Sequence, residues 1–269
     1  MAYTNPAAYE CFMGRWSARL ASPFVAFAGM RSGERVLDVG CGTGILSRAL
    51  IDLAPDIEVV GIDPAASYVD WASRSVLSPR VWFQVGTAEM LSFTDAAFDA
   101  AMALLVLQEL ADAPRAVREM ARITRRGGCV AACKWDFGNG LPMLALFWQA
   151  AETVSSDAVA RYRASKGTRP EYRGPDDELA ALWQSSGLTK VRTAALSITM
   201  EFASFEDFWL PFLGGATALC VFARDLNNLT QGAVATRLRE MLSSSFGVGR
   251  FTLPARAWAV AGVVADQLI

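Results

Sequence analysis

One stretch constrains the fold of this chain more than any other: Val36-Leu37-Asp38-Val39-Gly40-Cys41-Gly42-Thr43-Gly44, a short apolar run that breaks into three alternating glycines. Glycines directly after a buried strand let the backbone turn sharply and approach a ligand without Cβ clashes. Residues 45–53 then carry helical apolar spacing and stop at Pro55. A helix starting there points free N–H groups and the positive end of its dipole at an anion. A nucleotide phosphate and an amino-acid carboxylate satisfy that geometry equally well, so the glycines alone do not identify the ligand.

The flanking sequence repeats the same rhythm. Strand-like segments at 35–39, 58–62, 81–85, 99–105 and 129–134 alternate with helix-like segments at 45–53, 65–75 and 114–123, and Arg126, Gly127 and Gly128 form a turn before the fifth strand. Strands alternating with helices of this length indicate βαβ units and a parallel sheet. Such sheets bind ligands beyond the carboxyl ends of their strands, where the strand order switches. After Lys134 the pattern changes. Residues 141–163 read as a helix, 167–177 as a loop rich in Pro, Gly and charge, 177–185 as a helix closed by Gly187, and 190–201 as an alternating strand. Helices follow at 205–213, 216–226 and 233–243, with a last strand around 257–263. Segments 136–174 and 204–249 are expected to be insertions above the sheet, with the strand between them belonging to it. With 269 residues, 53% of them hydrophobic, the chain can bury a core for one large domain with an appended lid.

Composition excludes several chemistries. Histidine is absent, which removes Ser-His-Asp and Cys-His nucleophile systems and any histidine-ligated zinc or iron site. The five cysteines (Cys11, Cys41, Cys129, Cys133, Cys220) lack paired metal-ligand spacing, so no metal is expected. Cys129 and Cys133 share one strand face as small core residues. Scattered reduced thiols fit a cytoplasmic protein. A net charge of −2 gives no basic excess for gripping phosphates, so no nucleic-acid partner is expected. The densest basic stretch (Arg161, Arg163, Lys166, Arg169, Arg173) is interrupted by Glu171 and followed by Asp176, Asp177 and Glu178, the composition of a solvated loop. The apolar run 100–107 is too short to span a membrane, and residues 1–10 lack a secretory signal pattern.

Two carboxylates narrow the choice of ligand. Asp38 sits inside the first strand, where a buried charge is costly unless compensated. An ammonium-bearing ligand or N–H donors of the loop would compensate it; a satisfied acid capping the glycine loop is the plain structural alternative. Asp63 ends the second strand in Val60-Gly61-Ile62-Asp63-Pro64, where an acid can accept hydrogen bonds from both hydroxyls of a ribose. The same residue is also placed to cap a helix starting at Pro64. Together they suit a ligand with an amine, a carboxylate and an adenosine ribose.

Here the chain resembles the class I S-adenosylmethionine-dependent methyltransferases. Residues 36–44 resemble their first motif and 60–64 their ribose-binding acidic motif. Val85-Gly86-Thr87-Ala88-Glu89-Met90-Leu91-Ser92-Phe93 is similar to the adenine-binding turn, 98–107 to the fourth-strand motif, and Arg125-Arg126-Gly127-Gly128 to the turn before the fifth strand. The likeness runs in order over about 33–135, and residues 9–16 are similar to the segment that folds over the cofactor in relatives of the ubiquinone/menaquinone-methyltransferase type. The resemblance implies an α/β, Rossmann-like, doubly wound, mostly parallel seven-stranded sheet with helical lid insertions. In that layout 1–32 covers the cofactor, 33–135 is the cofactor-binding core, and 136–269 completes the sheet and carries the insertions. It also implies S-adenosylmethionine as cofactor, S-adenosylhomocysteine as product and a small organic acceptor. Asp38 and Gly40 would hold the methionine amino group, with Gly40, Cys41 and Gly42 packed on that moiety. Asp63 would take the ribose, Pro64 would flank the adenine, Ala88 would give it a backbone N–H, and Leu104 would line the pocket near the sulfonium. Thr87 stands where the family often has an acid for the adenine amine; its hydroxyl or the nearby Glu89 would serve instead.

Two other functions share parts of this pattern. A module could hold the cofactor without transferring its methyl group. A nicotinamide- or flavin-dinucleotide oxidoreductase needs Gly-x-Gly-x-x-Gly, which fails from Gly40, giving Ile45, and from Gly42, giving Ser47. Methyl transfer from a sulfonium mainly requires positioning of the acceptor, and Glu109 and Asp136, just past the fourth and fifth strands, read as surface or structural acids. No catalytic residue is assigned. Phe147, Trp148, Phe205, Phe208, Trp209 and Phe212, concentrated in the insertions, could wall a substrate pocket but are expected mainly to form lid core.

Overall fold

The computed structural model describes residues 5–54, 56–166, 176–215, 217–247 and 249–265. Helix α1 (Pro6–Tyr9) runs through a single π-helical turn, Glu10–Gly14, into α2 (Arg15–Ala28). The alternating half follows: β1 (Arg35–Val39), α3 (Ile45–Leu53), β2 (Glu58–Asp63), α4 (Ala66–Ser75), β3 (Val81–Val85), β4 (Phe98–Leu104), α5 (Ala113–Ile123) and β5 (Thr124–Trp135). The remainder holds α6 (Pro142–Val154), α7 (Ser156–Lys166), α8 (Asp176–Ser185), β6 (Leu188–Phe202), α9 (Phe205–Gly214), α10 (Ala218–Asp225), α11 (Asn228–Phe246) and β7 (Phe251–Val264).

The strands form one seven-stranded sheet in the order β3-β2-β1-β4-β5-β7-β6. The first five are parallel, and β7 runs antiparallel between β5 and β6. This is the mostly parallel α/β sheet expected. Both faces are covered, as the apolar strands require: Val36 joins one core, while Leu37 and Val39 join the other. Helix α5 shows how sequence sets an element. Asp112 accepts from Arg115 N at 2.9 Å as its cap, and Ala113, Ala116, Val117, Met120 and Ile123 bury one stripe against the sheet. On the same side α8 is pinned by Trp183, whose Nε1 donates to Val130 O at 2.9 Å.

Several boundaries differ from expectation. Residues 125–128, expected as a turn, continue β5: Gly127 takes φ +69° and the register with β4 shifts between Phe98 and Ala100, a bulge that lets the strand run on. The single helix expected over 141–163 is two, broken at Ser155 (φ −151°, ψ 71°). Helix α11 begins earlier because Asn227 caps it, accepting from Thr230 N at 2.9 Å. The last strand pairs with β6 along most of its length, so both are longer than their alternation alone indicated. Pro55 and most of the loop expected at 167–177, with Arg169, Glu171 and Arg173, lie outside the described residues.

The aromatic residues of the second half mostly form core. Phe147 stacks on Phe212 with centroids 4.9 Å apart and planes 8° from parallel, and Phe147, Phe208, Trp209 and Phe212 are buried. The N-terminal segment joins this cluster: Phe12 packs edge-on against Phe212 at 5.1 Å, and Arg15 Nη1 donates to Asp207 Oδ1 at 2.7 Å. Among the described residues no single helix is long and apolar enough to cross a membrane.

Candidate cofactor site

The sheet order places the site. The chain moves outward from β1 through β2 to β3, then returns to β4 on the other side of β1, leaving a crevice beyond the carboxyl ends of β1 and β4. The pairing of Val39 with Ile62 brings Gly40 beside Asp63.

The turn after β1 works through three glycines in the left-handed region, Gly40 (φ +67°), Gly42 (φ +52°) and Gly44 (φ +85°), of which the first two lie beside β2 and β4. A Cβ on Gly40 would lie 2.6 Å from Val106 Cγ2, so this glycine lets the turn pack against the chain leaving β4. A Cβ on Gly42 would meet nothing nearer than Tyr68 Cδ1 at 3.8 Å, so its outer face is open. The turn is tied to β2 by two bonds: Cys41 N donates to Ile62 O at 2.8 Å, and Gly42 N donates to Asp63 Oδ2 at 3.1 Å. The Thr43 hydroxyl, at the start of α3, is buried and has no partner among the described residues. An open glycine face, an orphaned hydroxyl and a nine-residue helix beginning at Ile45 fit the amino-acid end of a ligand.

The two acids differ. Asp38 is buried, and its Oδ2 accepts from Ser47 Oγ at 2.6 Å and from Ser47 N at 3.1 Å. Burial pushes its pKa up to about 7, against the opposing pull of those two hydrogen bonds. The donors therefore come from the first turn of α3 rather than from the glycine loop. Ser47, at the place where the dinucleotide fingerprint would need glycine, is the partner Asp38 uses. Asp63 accepts from Ala65 N at 2.9 Å through Oδ1 and from Gly42 N through Oδ2; burial raises its pKa while those amides pull it down. Helix α4 starts at Ala66 with Ala65 as its cap residue, so Asp63 is not the N-cap its sequence position allowed. Its carboxylate bridges Ala65 and the glycine loop.

On the side expected for adenine, Pro64 and Thr87 are exposed and Ala88 is buried. Thr87 and Met90 form an isolated bridge. Glu89 Oε1 accepts from Ala111 N at 3.2 Å, which commits it to the loop before α5. Leu104 is half-buried at the end of β4. Burial, followed by the charges of Asp38 and Asp63, pushes the Cys41 thiol up, consistent with a small filler rather than a nucleophile. Asp136 is a structural acid: Oδ2 accepts from Arg256 Nε at 2.8 Å and Oδ1 from Gly138 N at 3.0 Å, and although burial raises its pKa these partners hold it below the usual range. Glu109 is exposed. Among the described residues no group of His, Cys, Asp or Glu could hold a metal ion.

Sequence spacing missed Thr43, Ser47 and Tyr68. Tyr68, buried on α4 beside the open face of Gly42, places its ring edge-on to Tyr9 at 6.2 Å and donates to Asn5 O at 3.4 Å. Burial pushes both phenols up, that of Tyr9 to about 12. Residues 5–9 thus lie over α4 at the rim of the cleft, and no local pattern around Tyr68 announces this.

Comparison with known proteins identifies the family. Residues 37–132 match a family profile described as "Methyltransferase domain". The chain is 30% identical over 179 residues to a malonyl-[acyl-carrier protein] O-methyltransferase of Pseudescherichia vulneris, covering 62% of this chain and 69% of that protein. It is 30% identical over 175 residues to a demethylmenaquinone methyltransferase of Roseiflexus castenholzii, covering 62% and 73%. The structure of Haemonchus contortus phosphoethanolamine N-methyltransferase 2 in complex with S-adenosyl-L-methionine shares the fold, with a TM-score of 0.58 at 16% identity over 97% of this chain and 57% of that one. The glycine turn lies inside the matched stretch and the relatives align over more than two thirds of their own length, so the chain belongs to the class I S-adenosylmethionine-dependent methyltransferases, with S-adenosylmethionine as its methyl donor.

Proposed function

We propose that this enzyme methylates a small organic acceptor held beyond the ends of β4 and β5, with the N-terminal segment and the insertions after β5 and β6 enclosing it. The observation that carries this is the open face of Gly42 beside a carboxylate at the tip of β2. Asp63 accepts from the ribose hydroxyls with the lone pairs its two backbone donors leave unused. Gly40, Cys41 and Gly42 pack on the methionine moiety, with the Asp38 charge behind them favouring its ammonium. Pro64, Thr87, Ala88 and Glu89 border the adenine, Glu89 through its hold on the loop at Ala111. Leu104 faces the sulfonium.

When bound, S-adenosylmethionine supplies a methyl group on a sulfonium whose leaving group departs neutral, so the chain's own task is to orient an acceptor and exclude water. Tyr9 and Phe12 of the N-terminal segment, with Tyr68 of α4 beneath them, serve the second purpose. We also assign the enzyme to the cytoplasm, which its five free cysteines support. Incubation with S-adenosylmethionine and a panel of phenols, amines and quinones, with S-adenosylhomocysteine as the readout, tests the activity. Tight cofactor binding without turnover of any acceptor class would instead favour a binding module.

A further inference from the structure

The two edges of the sheet are built differently. An edge strand presents unpaired N–H and C=O groups on which another strand can form, and proteins blunt such edges with charges, bulges or covering elements. β6 has all three. It carries Lys190, Arg192 and Glu201, its register with β7 shifts between Thr189 and Arg192, and Arg19 of α2 reaches across to donate to Thr199 O at 2.8 Å. β3, at the opposite edge, has none of these. It reads Val81-Trp82-Phe83-Gln84-Val85, without charge or proline, and pairs with β2 in unbroken register. Among the described residues no strand lies on its outer side. Arg80, the adjacent charge in the sequence, turns its guanidinium inward to Ala54 O and Ile57 O at 3.2 and 3.0 Å, so it does not guard the edge.

One face of β3 is open as well. Val81 and Phe83 pack on the first core, while Trp82 and Gln84 pair with Val60 and Ile62 of the second. The link from β3 to β4, residues 86–97, forms no helix over that second face. Along this edge Leu77, Trp82, Val85 and Met90 are 86%, 52%, 58% and 66% exposed. At about 150–250 Å² for a large side chain, those fractions leave roughly 500 Å² of apolar-residue surface. A standard interface buries about 800 Å² per partner, about 56–65% of it non-polar, so this edge supplies the apolar share that a stable pair needs.

We propose that β3 pairs antiparallel with β3 of a second copy of this chain, about a twofold axis at Phe83, so that the two sheets become one. The backbone sets this register. Val59 N donates to Arg80 O and Gly86 N to Asp63 O, so the even-numbered residues turn their backbone groups to β2, and Val81, Phe83 and Val85 turn theirs outward. An edge centred on Phe83 in this way is complementary to itself. The two Phe83 residues exchange N–H···O bonds, and each Val85 N donates to Val81 O of the second copy. Val81 N is not needed, since it donates to Ser78 O at 3.3 Å. Trp82 then lies opposite Gln84 of the second copy and Arg80 opposite Gly86, so no charge is set against a like charge. Any other protein would have to bring a bare edge of its own; a second copy already has one.

Analytical ultracentrifugation of the full chain tests this. An interface of standard size should carry the wild type from monomer to dimer between about 0.1 and 50 µM. Trp82→Lys installs at β3 the kind of charge that guards β6. Because a twofold interface carries each substitution twice, it should weaken the dimer at least about thirtyfold while the S-adenosylhomocysteine Kd stays within about twofold. Hydrogen exchange on the wild type reads the same contact without a variant. The outward amides of Phe83 and Val85 should exchange at least about tenfold more slowly in the dimer than in the monomer. A wild type that stays monomeric to about 100 µM, whether another protein or nothing covers the edge, would overturn the proposal. So would a dimer that folded Trp82→Lys leaves intact, or one in which exchange over residues 81–85 does not slow.

Discussion

Replacing Asp63 with alanine tests the cofactor site most directly. The carboxylate already takes one hydrogen bond from Ala65 N and one from Gly42 N, and the bound ribose would add two hydroxyl donors. Hydrogen bonds to a charged group contribute about 1.5–3 kcal/mol each; the lower figure suits a half-buried acid, so two lost ribose bonds weaken binding by about 3 kcal/mol, roughly 150-fold in Kd. The stability assay follows from mass action. S-adenosylhomocysteine at a hundred times the wild-type Kd adds about 2.7 kcal/mol to folding, but at a Kd about 150 times weaker the same concentration adds only about 0.3 kcal/mol. For a chain of this size that reduces a ligand-induced rise in Tm of roughly 5–10 °C to about 1 °C. The unliganded variant should remain folded, since the two lost backbone bonds cost about 1–2 kcal/mol. Titration calorimetry reads the Kd independently, and a folded variant that binds within about threefold of wild type would refute the ribose assignment.

Other perturbations separate the remaining roles. Burial raises Asp38 from 3.8 to about 7, so between those values the native state holds a proton that the unfolded chain releases. Stability is therefore lost as pH rises from about 4 to about 7, by up to about 1.4 kcal/mol per unit from this one group, and levels off above. Asp38→Asn should flatten that part of the curve, read from urea midpoints between pH 4 and 8; parallel curves for the two proteins would contradict it. Gly42→Ala places a Cβ in open space, so it should cost only the left-handed backbone penalty of about 1–2 kcal/mol while weakening S-adenosylhomocysteine at least about tenfold. Gly40→Ala also drives a Cβ to 2.6 Å from Val106 and should melt lower, by an additional overpacking cost of about 1–3 kcal/mol; the reverse order of Tm would show that the turn is packed differently. Phe147→Ala removes a fully buried ring from the aromatic cluster around Phe212 and should cost about 3–5 kcal/mol of stability with unchanged cofactor Kd. A pocket-wall residue would show the opposite balance.

What sequence alone determined is what short contiguous segments determine. The apolar strands, the glycine turn after the first and the acid at the tip of the second are local, and β1 and α3 have the boundaries their residues predicted. The cofactor class was legible because the motifs that carry the family resemblance, at 36–44, 60–64, 85–93 and 98–107, are each short and contiguous. Tertiary structure alone decided which partners each side chain uses. Asp38 turned to Ser47, Asp63 to the glycine loop as well as to Ala65 ahead of its own helix, and Glu89 to Ala111, because bonds such as these join atoms that only folding brings close. It also slid β7 between β5 and β6 and packed Tyr68 under the N-terminal segment. Long-range packing leaves no periodic signal in a single sequence.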